Sequence, residues 1–108
     1  MRILDKELCK IGEIPASGGL QRTLDDGRRV AVFEAHGSVV VVDDACTHNG
    51  ASLANWGEIR EDAIECTWHA CRFELCTGKV MGGPCETPLK VYQVAVNGDG
   101  VFLIVDGA

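Results

Sequence analysis

Aromatic residues are scarce in this sequence: two Trp, one Tyr and three Phe in 108 positions, beside three Pro and three His. So few aromatics, together with 13 Gly, favour many turns over long helices. Long apolar runs are missing too, and a stretch such as Val39–Val42 is far too short to span a membrane. The N-terminus, Met1-Arg2-Ile3-Leu4-Asp5-Lys6-Glu7, turns charged before a signal-peptide core can form, which predicts a cytoplasmic protein. Basic charge is in deficit, with 10 Lys and Arg against 16 Asp and Glu and a net charge of −6. That balance argues against a nucleic-acid binder, whose affinity rests on basic contacts to phosphate. The acidic excess suits a basic protein partner or plain solubility. What is present, 46% apolar and 24% charged residues, predicts one globular domain over residues 1–108.

Strand signals dominate the chain. Val30-Ala31-Val32-Phe33-Glu34 and Ser38–Asp43 are β-branched runs flanking Ala35-His36-Gly37, a hairpin with His36 in a solvated turn. Val91–Val96 and Val101–Val105 flank Asn97-Gly98-Asp99-Gly100, the strongest hairpin signal in the sequence. Ala63–Cys66 and Arg72–Leu75 are shorter strand candidates. No window of ten residues carries a helical apolar stripe free of Gly and Pro, and Glu58–Glu65 has room for a helical turn at most. These elements predict a small antiparallel all-β domain.

Six cysteines stand out: Cys9, Cys46, Cys66, Cys71, Cys76 and Cys85. Without a secretory signal they read as metal ligands or free thiols rather than a disulfide framework. Two of the three histidines sit beside cysteines, in Cys46-Thr47-His48 and Cys66-Thr67-Trp68-His69, with the 17 residues Asn49 to Glu65 between them. Each pair follows or closes a strand candidate, so both project on loops at strand ends. Three site types compete for such a set. A structural Cys2His2 zinc site is one, although zinc sites usually place both cysteines first. An all-cysteine iron–sulfur cluster is another, but it needs a C-x4-C-x2-C run, and Cys66, Cys71 and Cys76 are spaced x4 and x4. The third is a Rieske [2Fe–2S] cluster, in which two thiolates hold one iron and two imidazoles the other.

Here the sequence resembles the Rieske ferredoxins over nearly its whole length. Cys46-Thr47-His48-Asn49-Gly50-Ala51-Ser52-Leu53 is similar to the motif C-T-H-x-x-x-x-L. Cys66 to Phe73, followed by Thr77-Gly78-Lys79-Val80, is similar to C-P-x-H-x-x-x-F…T-G-x-V. Gly83-Pro84-Cys85-Glu86-Thr87-Pro88-Leu89 and Tyr92-Gln93-Val94 match the tail G-P-x-x-x-P-L…Y-x-V. Two departures stand out: Thr67 where the motif has Pro, and Ala70 where Gly often follows the histidine. They put the stiffness of the second loop in question.

The resemblance implies a Rieske fold, a small antiparallel β-sandwich of stacked sheets with a cluster-binding subdomain at about residues 45–86. It implies one [2Fe–2S] cluster per chain, held by Cys46, His48, Cys66 and His69, with the histidine-bound iron nearest solvent. It also implies a third loop over the cluster, closed by Pro84. Neutral imidazoles in place of two thiolates leave a cluster of charge zero when oxidised and −1 when reduced, which raises its potential. The chain would then be no enzyme itself. It would be a monomeric one-electron carrier between a flavin-dependent NAD(P)H-oxidising reductase and the terminal oxygenase of an aromatic-compound-degrading system. Oxygen activation is excluded by counting, since a facial triad needs two more histidines and only His36 is left. The alternatives are the small subunit of an assimilatory nitrite reductase and a zinc-stabilised interaction module. Cys9, Cys71, Cys76 and Cys85 read as free thiols. Trp68, between two ligands, either meets a partner or covers the cluster. Asp43, Asp44, Glu58, Glu61, Asp62 and Glu65 outnumber Arg60 around the loops and read as an acidic docking rim or a solvated face.

Overall fold

The computed structural model describes residues 2–3, 7–48, 50–68 and 70–105. Alternation along the Val-rich stretches decides the architecture. In β4 (Arg29–Ala35) the run Val30 to Phe33 is buried at every position, so both faces of this strand are covered. Val30 and Val32 point into one core with Val41, Val101, Leu103 and Cys9. Ala31, Phe33 and Ala35 point into a second core with Val42, Leu53, Ile64, Phe73 and Leu89. A strand covered on two faces reads as a continuous apolar run rather than an alternating one.

The first core belongs to a seven-stranded antiparallel sheet in the order β1-β11-β10-β5-β4-β3, with β2 also paired to β11. Its strands are β1 (Arg2–Ile3), β2 (Cys9–Lys10), β3 (Leu20–Thr23), β4, β5 (Ser38–Asp43), β10 (Val91–Asn97) and β11 (Gly100–Val105). Val101 and Leu103 of β11 share a core with Val30 and Val32 of β4, although two strands lie between them. The sheet therefore curls around its own face. The second core lies between the outer face of β4–β5 and a four-stranded antiparallel sheet, β6-β7-β8-β9. That sheet comprises β6 (Gly57–Arg60), β7 (Ala63–Cys66), β8 (Cys71–Glu74) and β9 (Val80–Gly82). One helical turn, α1 (Leu53–Trp56), joins the sheets. No helix among the described residues is long and apolar enough to cross a membrane.

The two expected hairpins are present. The β4–β5 turn narrows to His36 and Gly37, both at positive φ (53° and 83°), and the β10–β11 turn to Gly98 and Asp99. The strand expected at Arg72–Leu75 begins one residue earlier, at Cys71. The helical turn expected within Glu58–Glu65 is overturned. These residues form the β6–β7 hairpin, with Ile59 opposite Ile64 and Glu58 opposite Glu65. Glu-Ile-Arg alternates at period 2, and a two-residue turn at Glu61–Asp62 closes the pair. Glu61 takes the left-handed conformation at φ 55°, which Glu rarely supplies, so the turn carries no residue signal. The Glu61 carbonyl accepts a hydrogen bond from His36 Nε2 at 2.6 Å. His36 thus links the hairpin turns of the two sheets rather than standing free in solvent.

At the other end of β5, Tyr92 is the clasp. Its hydroxyl donates to Asp43 Oδ1 at 2.5 Å, and Lys90 Nζ and the Arg28 guanidinium each lie over its ring, 5.3 Å and 5.6 Å from the centroid. Burial, then the bond to Asp43 and the Asp43 charge, push the phenol from 10.0 up to about 12. A raised phenol favours the protonated folded form, so this contribution is complete below pH 10 and is lost as pH climbs towards 12. Tyr92 is the only tyrosine, so absorbance titration of tyrosinate should give a midpoint near 12 in the folded protein and the ordinary value in denaturant. A midpoint of 10 in the native protein would show that the clasp is open.

Candidate metal centre

The first cysteine loop leaves β5 at Asp43 and turns back into α1. Its geometry is that of a hairpin tip: Cys46 N–H donates to the Ala51 carbonyl, and Gly50 N–H donates to the Cys46 carbonyl, each at 2.8 Å. Ala45 and Ser52 are bridged just below. The second loop repeats the arrangement between β7 and β8, where Cys66 is paired with Cys71 and Ala70 N–H donates to the Cys66 carbonyl at 2.8 Å. In both, a cysteine pairs with the residue five positions on, and the fourth is left-handed (Gly50 at φ 76°, Ala70 at φ 61°). C-x-H and C-x-x-H differ in spacing, yet the backbone tips have the same length.

Burial separates the donor types. Cys46 and Cys66 are 2% and 0% exposed within the second core, whereas His48 is exposed at the tip. His69 lies outside the described residues. Two sulfurs inside and an imidazole outside, on paired tips, suit a group that needs thiolates on its inner side and imidazoles on its outer one. That is the donor chemistry of a Rieske cluster, and the residues present fit it.

Three further features support the tips, and the ligand motifs contain only part of them. Asp44, read from the sequence as part of an acidic rim, is 3% exposed. Its carboxyl group accepts from Gln21 Nε2 at 2.6 Å, Ser52 Oγ at 3.0 Å and the Ala54 N–H at 2.9 Å. The second feature is the third loop. Gly83, at φ 89°, presses against the second tip so closely that a methyl there would stand 2.4 Å from the Ala70 oxygen and 2.8 Å from Cys71 Cα. Thr47 Oγ1 donates to the Thr87 carbonyl at 2.7 Å, tying the same loop to the first tip. The third is a pair of buried thiols, Cys71 and Cys85. Burial first, then a hydrogen bond with Cys85 and the neighbouring Cys46, push the Cys71 thiol up to about 12. Cys85 Sγ donates to the Gly82 carbonyl at 3.6 Å. Cys9, in the first core, is also raised by burial, and Cys76 is exposed. Cys9, Cys71 and Cys85 are thus packed as small apolar residues.

The acidic rim does not survive as a feature of the loops. Asp44 is buried, and Asp43 holds Tyr92. Glu58 lies 2.7 Å from Arg60, and Glu65 lies 3.8 Å from Arg60 and 3.6 Å from Arg72. Glu61 and Asp62 form the turn at the opposite end of the β6–β7 hairpin from Cys66. The exposed large apolar residues beside the second cysteine are Trp68 (55%) and Trp56 (47%), stacked at 5.8 Å and 20°.

The fold and the paired tips define a two-loop domain. The chain belongs to the Rieske [2Fe-2S] domain family, whose profile matches residues 6–93. It is 34% identical over 98 residues to the ferredoxin component of the p-cumate 2,3-dioxygenase system of Pseudomonas putida, spanning 91% of this chain and 83% of that one. It is 36% identical over 95 residues to the biphenyl dioxygenase ferredoxin subunit of Pseudomonas sp. strain KKS102, spanning 88% and 86%. A chain in the solved complex of reduced oxygenase and oxidized ferredoxin in carbazole 1,9a-dioxygenase aligns with a TM-score of 0.79 at 28% identity, covering 92% of this chain and all of that one. A nitrite reductase small subunit from Mycobacterium tuberculosis, at 22% identity and TM-score 0.80, shares the fold.

The close packing of Gly83 and the strained Ala70 give opposite expectations. Gly83→Ala should lower unfolding stability by more than about 2 kcal/mol, combining left-handed strain with a backbone clash. It should also open Cys85 to thiol reagents. Ala70→Gly should raise stability by up to about 1 kcal/mol, because relief of about 1–2 kcal/mol of strain exceeds the extra unfolded-state entropy of glycine, about 0.4–1 kcal/mol. Urea unfolding midpoints read both.

Proposed function

We propose that this chain is a one-electron carrier with one [2Fe–2S] cluster, held by Cys46 and Cys66 on its inner iron and by His48 and His69 on its outer iron. The observation that carries the proposal is the matched pair of hairpin tips, with both cysteines buried beneath them and His48 exposed. When bound, a Rieske cluster supplies reversible one-electron transfer. The chain's own residues do the rest. Cys46 and Cys66 are shielded by Leu53, Phe73 and Leu89. Thr47 and Gly83 hold the third loop across the tips. His48 stands on the surface, where a redox partner can approach closely.

The partners follow from the relatives, which are ferredoxin components of aromatic dioxygenase systems. A flavin-dependent NAD(P)H-oxidising reductase would supply the electrons, and the terminal oxygenase would take them. The domain acts as a monomer in the cytoplasm, where a reducing environment keeps cysteines from joining in disulfides. The nitrite reductase subunit shares the fold, but presence of all four ligand residues here favours the carrier.

Purified protein should be red-brown, with two irons and two sulfides per chain. Alanine at Cys46, His48, Cys66 or His69 should abolish the visible spectrum, while Cys9→Ser and Cys85→Ser should keep it. A colourless chain carrying one zinc would end the proposal. The potential gives a second test. High-potential relatives carry a disulfide between the cluster loops and a serine two residues after the second histidine. Asn49, Gly50, Ala51 and Trp68 cannot supply the first, and Cys71 stands in place of the second. A thiol is a weak donor, and the Cys71 thiol is already engaged with Cys85. Film voltammetry should therefore place the midpoint near the low end of the Rieske range, about −150 mV. A midpoint above about +100 mV would assign the chain to another electron-transfer role.

A further inference from the structure

Helix α1 is too short to stabilise itself, and both of its ends are spent on the ligand loops. At its start, Leu53 N–H donates to the Asp44 carbonyl at 2.6 Å and Ala54 N–H to the Asp44 carboxyl at 2.9 Å. Asp44 stands two residues before Cys46. At its end, the Trp56 carbonyl accepts both the Thr67 N–H and the Thr67 Oγ1, each at 2.8 Å. The Trp56 ring stacks on Trp68. Thr67 and Trp68 are the only two residues between Cys66 and His69, and Trp56 holds both. One residue outside every ligand motif thus fixes the whole interval between two proposed ligands.

We propose that α1 is the spacer that sets the two ligand loops against each other, and that Trp56 is a positioning residue for the loop bearing Cys66 and His69. Four helical residues rise about 6 Å, so the attachment at Asp44 and the attachment at Thr67 are held a fixed step apart. Leu53 and Ala54 anchor the spacer in the second core, at 0% and 7% exposure. The Trp56 side chain contributes little to that core, being 47% exposed. Its ring therefore serves the loop more than the fold, and the two roles can be separated by experiment.

The inference rests on the ligand assignment above, and the first measurement avoids that dependence. In apo-protein, Trp56→Ala should speed amide exchange at Thr67 about 2–10-fold, the value of one aromatic stack. Exchange at Val32 and Phe33 in β4 should stay unchanged, and Trp56→Phe should recover most of the protection. In cluster-loaded protein, chelator-driven cluster release should quicken by the same factor in Trp56→Ala, with altered g-values in the reduced-state EPR spectrum. An unchanged Thr67 amide would overturn the proposal. So would equal acceleration at Val32, which marks a general loss of stability. Faster exchange at Thr67 with unaltered cluster release and spectrum would also overturn it, because the loop would then loosen without effect on the ligands. If the wild-type chain takes up no cluster, the ligand assignment fails, while the apo-protein exchange still decides the role of Trp56.

Discussion

A single buried carboxyl group fixes the end of the molecule that carries the cysteines. Asp44 lies where β5 ends, and its three side-chain bonds reach three separate segments: β3 through Gln21, the foot of the first tip through Ser52, and α1 through Ala54. A polar group at that depth without partners would cost about 2–7 kcal/mol, so the segments are held wherever the carboxyl group is satisfied. The backbone of Asp44 adds to the same point, donating to the Arg29 carbonyl and accepting from Leu53 N–H. Cys46 follows two residues later. Its place in the core is therefore set by hydrogen bonds that precede it in the chain.

The second constraint is apolar. Because β4 is covered on both faces, the outer face of the curled sheet is a ready surface for the four-stranded sheet, through Ala31, Phe33 and Ala35. Cys46, Cys66, Cys71 and Cys85 complete that core, so the same burial that folds the second sheet also removes the sulfurs from water. Folding and ligand placement are one event here. The loop tips themselves bury little and lean on the core beneath them.

How much of this was legible depended on distance in sequence. The four ligand candidates were readable because a Cys and His lie within three positions of each other twice. The hairpins at His36–Gly37 and Gly98–Asp99 were readable because Gly marks each turn. The β6–β7 hairpin was hidden because Glu61, an unusual left-handed residue, closes it. Asp44 looked like surface charge because nothing local distinguishes a solvated Asp from one whose partners are Gln21 and Ala54, 23 and 10 residues away. The supposed acidic rim failed for the same reason. Charge counts along the chain cannot show that Glu65 faces Arg72 across a sheet.

The two departures in the second loop show how the surroundings replace a lost local restraint. Proline would fix one backbone angle after Cys66. Thr67 does not, but its N–H and hydroxyl both bind the Trp56 carbonyl, an arrangement proline could not make for want of an N–H. Stiffness in this loop therefore comes from contact across the fold instead of from the residue itself. Ala70 is the opposite case, since its left-handed backbone stores strain that glycine would avoid. Gly83 seated against its carbonyl and the bond to Cys66 hold it there. A loop fixed by its own residues tolerates change around it, whereas this one passes any movement of Trp56 or Gly83 directly to the residues flanking Cys66. The tip is only as rigid as the helix and third loop on either side of it.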